Sequence, residues 1–536
     1  MTRGFHRLRA VAAAAVALAL LPAVGAVVLI FTGVKAAKQV ALAVSLITFA
    51  FALIVTTQFK IGGGMQLVEQ APWIKPLGAY YALGLDGLGL TLVLLVVIIT
   101  PVVIIASWRD FDPADESVEG SPGADNASTD AATIAPKYDS RVFFALVLAV
   151  QSCALYLFLA TDVFLFYVFF EVILVPMYFL IGGFGPGPRR TYAAAKFLIF
   201  GLLGGFVMLA SVIGLYVQSA KAGEPSYLLS TLSQLDFATG TGRWLFVGFM
   251  FAFAIKAPLV PLHTWLPDAA EESTAGSATM MVGVMDKIGT FGMIRFCLGL
   301  FPEASQWATP VVLVLATISI LYGAILAIGS RDIMRFIAYT SISHFGFIVL
   351  GIFAFTSQSL TGSTLYMLNH GMATAALFVM AGYLIKRRGS RDMNDYRGVD
   401  RVAPVLAGLL LFAGLNTLSL PGLASFVSEF MVLAGTFGRH PAYAVISTLA
   451  IVLAALYILI MYQRTMTGPV APEVQERVTE LNGRERLAMA PLVLLILVLG
   501  FFPKPMLSII EPSTQAMMQH VGVTDPQPRV TAEGGR

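Results

Sequence analysis

Continuously apolar stretches of helical length run along almost the whole chain, parted by short charged, polar or Gly/Pro-rich breaks. At about 1.5 Å of rise per residue, about 20 apolar residues cross the hydrocarbon core, so each stretch predicts one membrane-spanning helix. About fourteen are predicted, near residues 10–33, 37–57, 82–107, 141–160, 162–184, 192–218, 243–266, 273–300, 308–329, 332–355, 361–385, 403–437, 442–464 and 486–511. None alternates apolar and polar residues, which excludes a transmembrane β-barrel and predicts an all-α polytopic membrane protein. The first run, residues 11–31, follows a basic start like that of a signal peptide. Its 21 residues suffice to span the bilayer, and it is read as a retained span.

The breaks also divide the chain. Residues 1–108 hold three spans; 109–140, with eight acidic and two basic residues among Gly, Pro, Ser and Asn, read as a solvated loop. Residues 141–300 and 301–467 hold five spans each, and 468–536 a loop, the last span and a tail. In each five-span unit the fourth member is interrupted by proline, at Pro258 and Pro261 in the seventh span and at Pro421 in the twelfth. An odd number of spans turns the second unit upside down, which predicts the inverted repeat of transporters. The prolines deprive the carbonyls of Ala254, Ala257 and Thr417 of helical donors, so both helices are predicted to be discontinuous beside hydrated pockets. Arg189, Arg190, Lys196, Arg331, Arg335 and the run from Lys386 to Arg401 fall on one side of this arrangement. The excess of basic residues makes that side cytoplasmic in a plasma (inner) membrane, with both termini outside, against the vote of Arg3, Arg7 and Arg9.

Composition agrees with one large bundle: 57% of the 536 residues are hydrophobic and 12% charged, and the mean hydropathy is +0.80. The net charge of +3 is scattered, which gives nucleic acid no patch to bind. Cys153 and Cys297 lie inside apolar runs, so they make neither a disulfide framework nor metal-ligand spacing. With no GxGxxG, P-loop or HExxH, the chain has no redox centre of its own, and any part in energy conversion is transport.

A charge at the bilayer centre costs about 2.5–3.5 kcal/mol even on the lenient insertion scale, which singles out Glu171, Lys256, Lys287, His344, His370 and Glu429 inside apolar runs. Glu171, Lys256 and Lys287 fall roughly 14–21 Å into their spans, near the midplane of a ~30 Å core. Any one of them alone would read as an ion pair gluing helices, or as a side chain snorkelling to the headgroups. Acids, lysines and histidines at one depth read more economically as a proton relay. Asp286 adjoins Lys287, but neighbours on a helix point about 100° apart, so the two do not pair directly. Arg295, two turns further on, is expected to reach the outer interface.

Several segments carry a resemblance: His263-Thr-Trp-Leu-Pro-Asp268, Thr274-Ala-Gly-Ser277, Lys287 through Arg295-Phe296, Arg331-Asp-Ile-Met-Arg335 through His344, and His370-Gly-Met-Ala-Thr374 through Phe378. Over about residues 80–465 the chain resembles the antiporter-like membrane subunits of respiratory complex I (NADH-quinone oxidoreductase) and of multisubunit cation/proton antiporters. Leu420-Pro-Gly-Leu-Ala-Ser425 through Phe430 is similar to the subunit M type, since the L and N types usually carry lysine where Glu429 stands. The resemblance implies that Glu171 pairs with Lys256, that Lys287 and His344 link two half-channels, and that Glu429 ends the second. It implies fourteen spans with an inverted repeat, L-type and N-type neighbours in the bilayer, and flavin, iron-sulfur clusters and quinone in partner subunits with no cofactor in this chain. It thereby implies a proton-translocating subunit of an NADH:quinone oxidoreductase. A subunit of a sodium/proton antiporter complex and a passive scaffold are the alternatives. Two departures stand out. The stretch from Asp268 to Thr274 is one residue short and lacks a customary histidine and proline, and Asp286 replaces a usually apolar residue.

Overall fold

The computed structural model describes residues 14–111 and 135–527; the N-terminal basic residues and most of the acidic loop lie outside them. The chain begins with α1 (Ala14–Phe31) and α2 (Val34–Gln58), then a β-hairpin of β1 (Gln66–Ile74) and β2 (Ala79–Leu85), then α3 (Gly87–Ala106). The first five-span region holds α4 (Ser140–Leu159), α5 (Val163–Val172), α6 (Leu174–Phe184), α7 (Arg190–Ala222), α8 (Thr239–Lys256), α9 (Trp265–Glu272) and α10 (Lys287–Gly292). Wider π-helical turns, Thr279–Met285 and Met293–Leu298, flank α10. The second region holds α11 (Pro302–Gly329), α12 (Ile333–Phe353), α13 (Ser357–Arg388), α14 (Pro404–Thr417), α15 (Ala424–Arg439) and α16 (Pro441–Met466). The chain closes with α17 (Gly483–Phe501) and α18 (Lys504–Val521).

Short polar residues at the breaks start the helices by satisfying amides that have no partner within the helix. Asp86 accepts from Gly89, Asp162 from Leu165 and Asp332 from Arg335, while Asn482 and Glu485 form a capping box. Among the described residues ten helices, counting α5 with α6 as one, are long and apolar enough to cross a membrane, or eleven if α17 and α18, bent by 71°, count as one broken span. The other predicted spans are broken pieces: α8 with α9, the π-interrupted segment around α10, and α14 with α15.

Two predictions are corrected. Residues 79–85, given in part to the third span, form β2, which pairs antiparallel with β1; the helix starts only at the Asp86 cap. The last predicted span, 486–511, stops at Phe501. Beyond the bend α18 runs over the ends of other helices, where Gly87 donates to Ser513, Thr361 bonds Thr514 and Gln306 donates to the carbonyl of Val521. The hairpin and α18 cover one face. The opposite face carries the basic residues, with Arg387 on Glu485 (2.6 Å), Arg335 on Asp268 (2.8 Å) and Lys386 on Asp110 (3.2 Å).

Burial sorts the helices by position. α3, α12 and α13 are enclosed along almost their whole length, whereas α2, α7, α11 and α16 present residues such as Ile199, Phe206, Val311 and Val452 outward. α13 carries Asn369, His370 and several hydroxyl residues, and a polar helix is tolerated at membrane depth when protein surrounds it.

Candidate functional site

Lys256 is the last residue of α8, where proline ends the helix. The break across 257–264 is internally satisfied. Leu259 donates to the Ala254 carbonyl (3.0 Å), Val260 to Ser319 (2.9 Å) and the Trp265 indole to the Ile255 carbonyl (3.0 Å). The predicted discontinuity is therefore present, but the Ala254 carbonyl is not left without a donor. The Lys256 ammonium donates to the carbonyl of Phe170 (3.2 Å) and lies 4.0 Å from the centroid of that ring. Phe166, Phe249, Phe253 and Phe296 pack together with Phe170 near it, closing the break with apolar surface.

Glu171 is half-buried at the end of α5, just before the chain turns at Ile173 into α6. The pair implied with Lys256 is not a direct one: the lysine holds the neighbouring carbonyl, and Glu171 reaches it only through its field. Among the described residues Oε1 of Glu171 has no hydrogen-bond partner, and it lies against Gly205 of α7, where any side chain would strike the carboxylate.

Lys287 opens α10 with no exposed surface. Its ammonium donates to the Val282 carbonyl (2.6 Å), in the widened turn, and to Nδ1 of His370 on α13 (2.7 Å). The His370 ring centroid is 5.4 Å from that of His344 on α12. His344 bonds the Tyr366 hydroxyl through Nδ1 (2.6 Å), and Tyr366 donates to Oε2 of Glu429 on α15 (2.6 Å). Ser419, in the break between α14 and α15, donates to the same oxygen (2.7 Å). Its φ of +61° is a left-handed conformation held within that break. Asn369 binds the Ala424 carbonyl (2.7 Å) and Ser428 (3.1 Å), fixing the start of α15.

The structure thus brings Lys287, His370, His344 and Glu429 into one buried row and adds Tyr366 and Ser419, which the sequence reading did not single out. Glu171 and Lys256 lie beside α10 as a separate pair of sites. Tyr366 stands one helical turn before His370 on the same face of α13, and that spacing was the available signal. Nε2 of both histidines, like both polar atoms of the Gln151 side chain, has no hydrogen-bond partner among the described residues. Buried polar atoms are normally satisfied by protein or ordered water, so these atoms mark where water can be held.

Arg295 is nearly buried and grips Asp86, the cap of α3, through two 2.7 Å hydrogen bonds, tying the end of the α10 segment to the start of α3. The shortened Asp268–Thr274 stretch is occupied by its own chain. Asp268 takes Lys196 (2.6 Å) and Arg335, Glu271 takes Arg335 (2.6 Å), and Glu272 accepts from the Arg189 amide (3.0 Å).

A family model described as NADH:quinone oxidoreductase/Mrp antiporter matches residues 160–456. NADH-quinone oxidoreductase subunit M of Mycobacterium tuberculosis (strain CDC 1551 / Oshkosh) is 49% identical over 95% of each chain. That of Escherichia coli (strain K12) is 34% identical over 89% of this chain and 91% of its own. A chain of respiratory complex I from Thermus thermophilus with bound NADH superposes with a TM-score of 0.83 at 31% identity, covering 95% of this chain and 100% of that one. A chain of the Mrp complex from Dietzia sp. DQ12-45-1b, at 21% identity, shares the fold, with a TM-score of 0.77 over 94% of this chain and 99% of its own. With this identity sustained over nearly the whole length, the chain belongs to the NADH-quinone oxidoreductase subunit M family of antiporter-like membrane subunits.

Proposed function

We propose that this chain moves protons across the membrane as part of an NADH:quinone oxidoreductase, using Glu171, Lys256, Lys287, His370, His344 and Glu429 as its relay. The observation that carries the proposal is the run of contacts from Lys287 to Glu429. If the Lys287 ammonium donates to Nδ1 of His370, the neutral ring carries its own proton on Nε2. Tyr366 donates to Glu429, so its oxygen accepts from Nδ1 of His344, whose Nε2 is then a free acceptor. The two rings present a donor and an acceptor to the gap between them. A proton passing from Lys287 to His370 releases one from His370 Nε2 toward His344, then one through Tyr366 to Glu429. The charge advances while each heavy atom stays in place.

Moving one charge against roughly 200 mV requires about 4.6 kcal/mol. This energy comes from quinone reduction in partner subunits, which hold the flavin, the iron-sulfur clusters and the quinone site. Neighbouring L-type and N-type subunits fit against the outward apolar faces. The basic face is cytoplasmic and both termini lie outside, and the five-helix units 141–300 and 301–467 are related by inversion.

In membrane vesicles carrying the assembled complex, Lys256→Ala and Glu171→Gln are expected to leave assembly intact and to lower NADH-driven proton uptake by on the order of tenfold or more. Uptake at the wild-type rate in an assembled variant would overturn the relay. Co-purification of flavin and iron-sulfur partners tests the assembly.

A further inference from the structure

We propose that Asp286 is a proton-carrying residue of this path, taking the proton that Lys256 releases and handing it to Lys287; the proposal rests on the relay reading above. Asp286 has no exposed surface, and neither carboxyl oxygen has a hydrogen-bond partner among the described residues. Two other buried acids are held firmly, Asp86 by the Arg295 fork and Glu429 by two hydroxyls, and Glu171 has only one oxygen buried without a partner. A carboxylate that only braced the fold would be expected to show such partners, because burying one without them costs several kcal/mol. Asp286 has cations near it instead. The fields that reach it are those of Lys287, its neighbour in sequence, and Lys256, on another helix.

Packing explains how Lys256 comes so close. Gly289 lies three residues after Asp286 and shares its side of the helix. A Cβ at Gly289 would come within 2.6 Å of the Phe253 carbonyl oxygen and 2.5 Å of the Ala257 amide nitrogen, so this side of α10 rests directly on the broken end of α8. Lys256 lies between those two contact residues, at the edge of the break. The backbone contact that only glycine permits therefore sets the carboxyl of Asp286 beside the helix end that carries Lys256. Lys287 meanwhile points about 100° away, toward His370. Among the described residues Asp286 is an acid reached by the fields of both Lys256 and the lysine that begins the histidine row.

Asp286 hydrogen-bonds neither lysine, so water held at its unpartnered oxygens carries each hop, and the transfer balances without any other reactant. An N–H bond of the Lys256 ammonium breaks as an O–H bond forms on Asp286, leaving a neutral amine and a neutral carboxylic acid. That O–H then breaks as an N–H forms on the neutral Lys287 amine, restoring the carboxylate and leaving an ammonium to feed His370.

The test uses the assembled complex in membrane vesicles, with NADH-driven proton uptake as readout. Asp286→Asn, nearly the same shape, is expected to lower uptake on the order of tenfold, and Asp286→Glu to restore most of it. A bracing role would be served about as well by the amide, so rescue by the acid alone separates the two. Infrared difference spectra on energisation should show a protonated-carboxyl C=O band that is lost in Asp286→Asn. If Asp286→Asn does not assemble, Asp286→Ser removes the carboxyl without adding bulk and is read in the same way. Wild-type uptake in Asp286→Asn or Asp286→Ser, alongside loss in Lys256→Ala and Lys287→Ala, overturns the role of Asp286 alone. Wild-type uptake in the lysine variants overturns the relay itself.

Discussion

Tyr366 joins the histidine row to its terminal acid, and its hydroxyl is the only atom that touches both His344 and Glu429 among the described contacts. Tyr366→Phe keeps the ring packed and removes that hydroxyl. Assembly is expected to be unchanged while NADH-driven proton uptake in vesicles falls about tenfold or more. Lysines, acids and histidines inside apolar runs stand out in a sequence because water-loving charge at that depth needs a reason. Tyr366 does not stand out, since a tyrosine on an apolar helix reads as packing, and its role depends on which helices meet. The same holds for Ser419, whose hydroxyl reaches Glu429 only because the chain turns left-handed there. The implied pairing of Glu171 with Lys256 is not a direct contact, for a related reason. Depth along each span can be counted from sequence, but not the direction in which Glu171 turns, and here it turns to Gly205.

Among the elements, the proline breaks were readable because proline removes a backbone donor wherever it stands. Which groups then satisfy the carbonyls was not, since Leu259 and Trp265 do so through a local fold of the break. The β-hairpin was missed because the end of β2 adjoins a long apolar run and was absorbed into it, leaving β1 as part of a connection; the Asp86 cap is what separates strand from helix. The π-helical turns around α10 have no composition signature, yet they frame the segment that carries Lys287. The contact between α5 and α7 is the most direct test of an element's shape on function. Gly205→Ala would put a methyl group into the Glu171 carboxylate, which sits at the free end of a side chain and can swing aside. The folded complex is expected to form, with proton uptake reduced several-fold, between that of wild type and that of Glu171→Gln.

On the scale of the whole molecule, α18 acts as a strap. Met506, Ile510, Met518 and Val521 bury one stripe of it, while Ser513, Thr514 and His520 bond α3, α13 and the carbonyl of Gly299. It crosses the helix ends of both five-span regions. Ending the chain at Phe502 removes this stripe and its hydrogen bonds, each worth about 1 kcal/mol. Assembled complex, measured by native gel and immunoblot, is expected to fall steeply, with the residual chain more readily cleaved by added protease. The sequence read α18 as the tail of a last span because its apolar stripe continues that of α17; the bend at 502–503 turns a crossing into a brace.

The orientation of hydrogens that the proposed relay assigns along Lys287, His370, His344, Tyr366 and Glu429 has one more consequence. Once a proton has gone through, each imidazole and hydroxyl is left facing backward, with its acceptor where its donor had been. A second passage must wait until the rings and the phenol have turned over again. A row working by the proposed relay would behave as an escapement, letting through one step per stroke and resisting steady leakage under the membrane voltage even when both ends are wet.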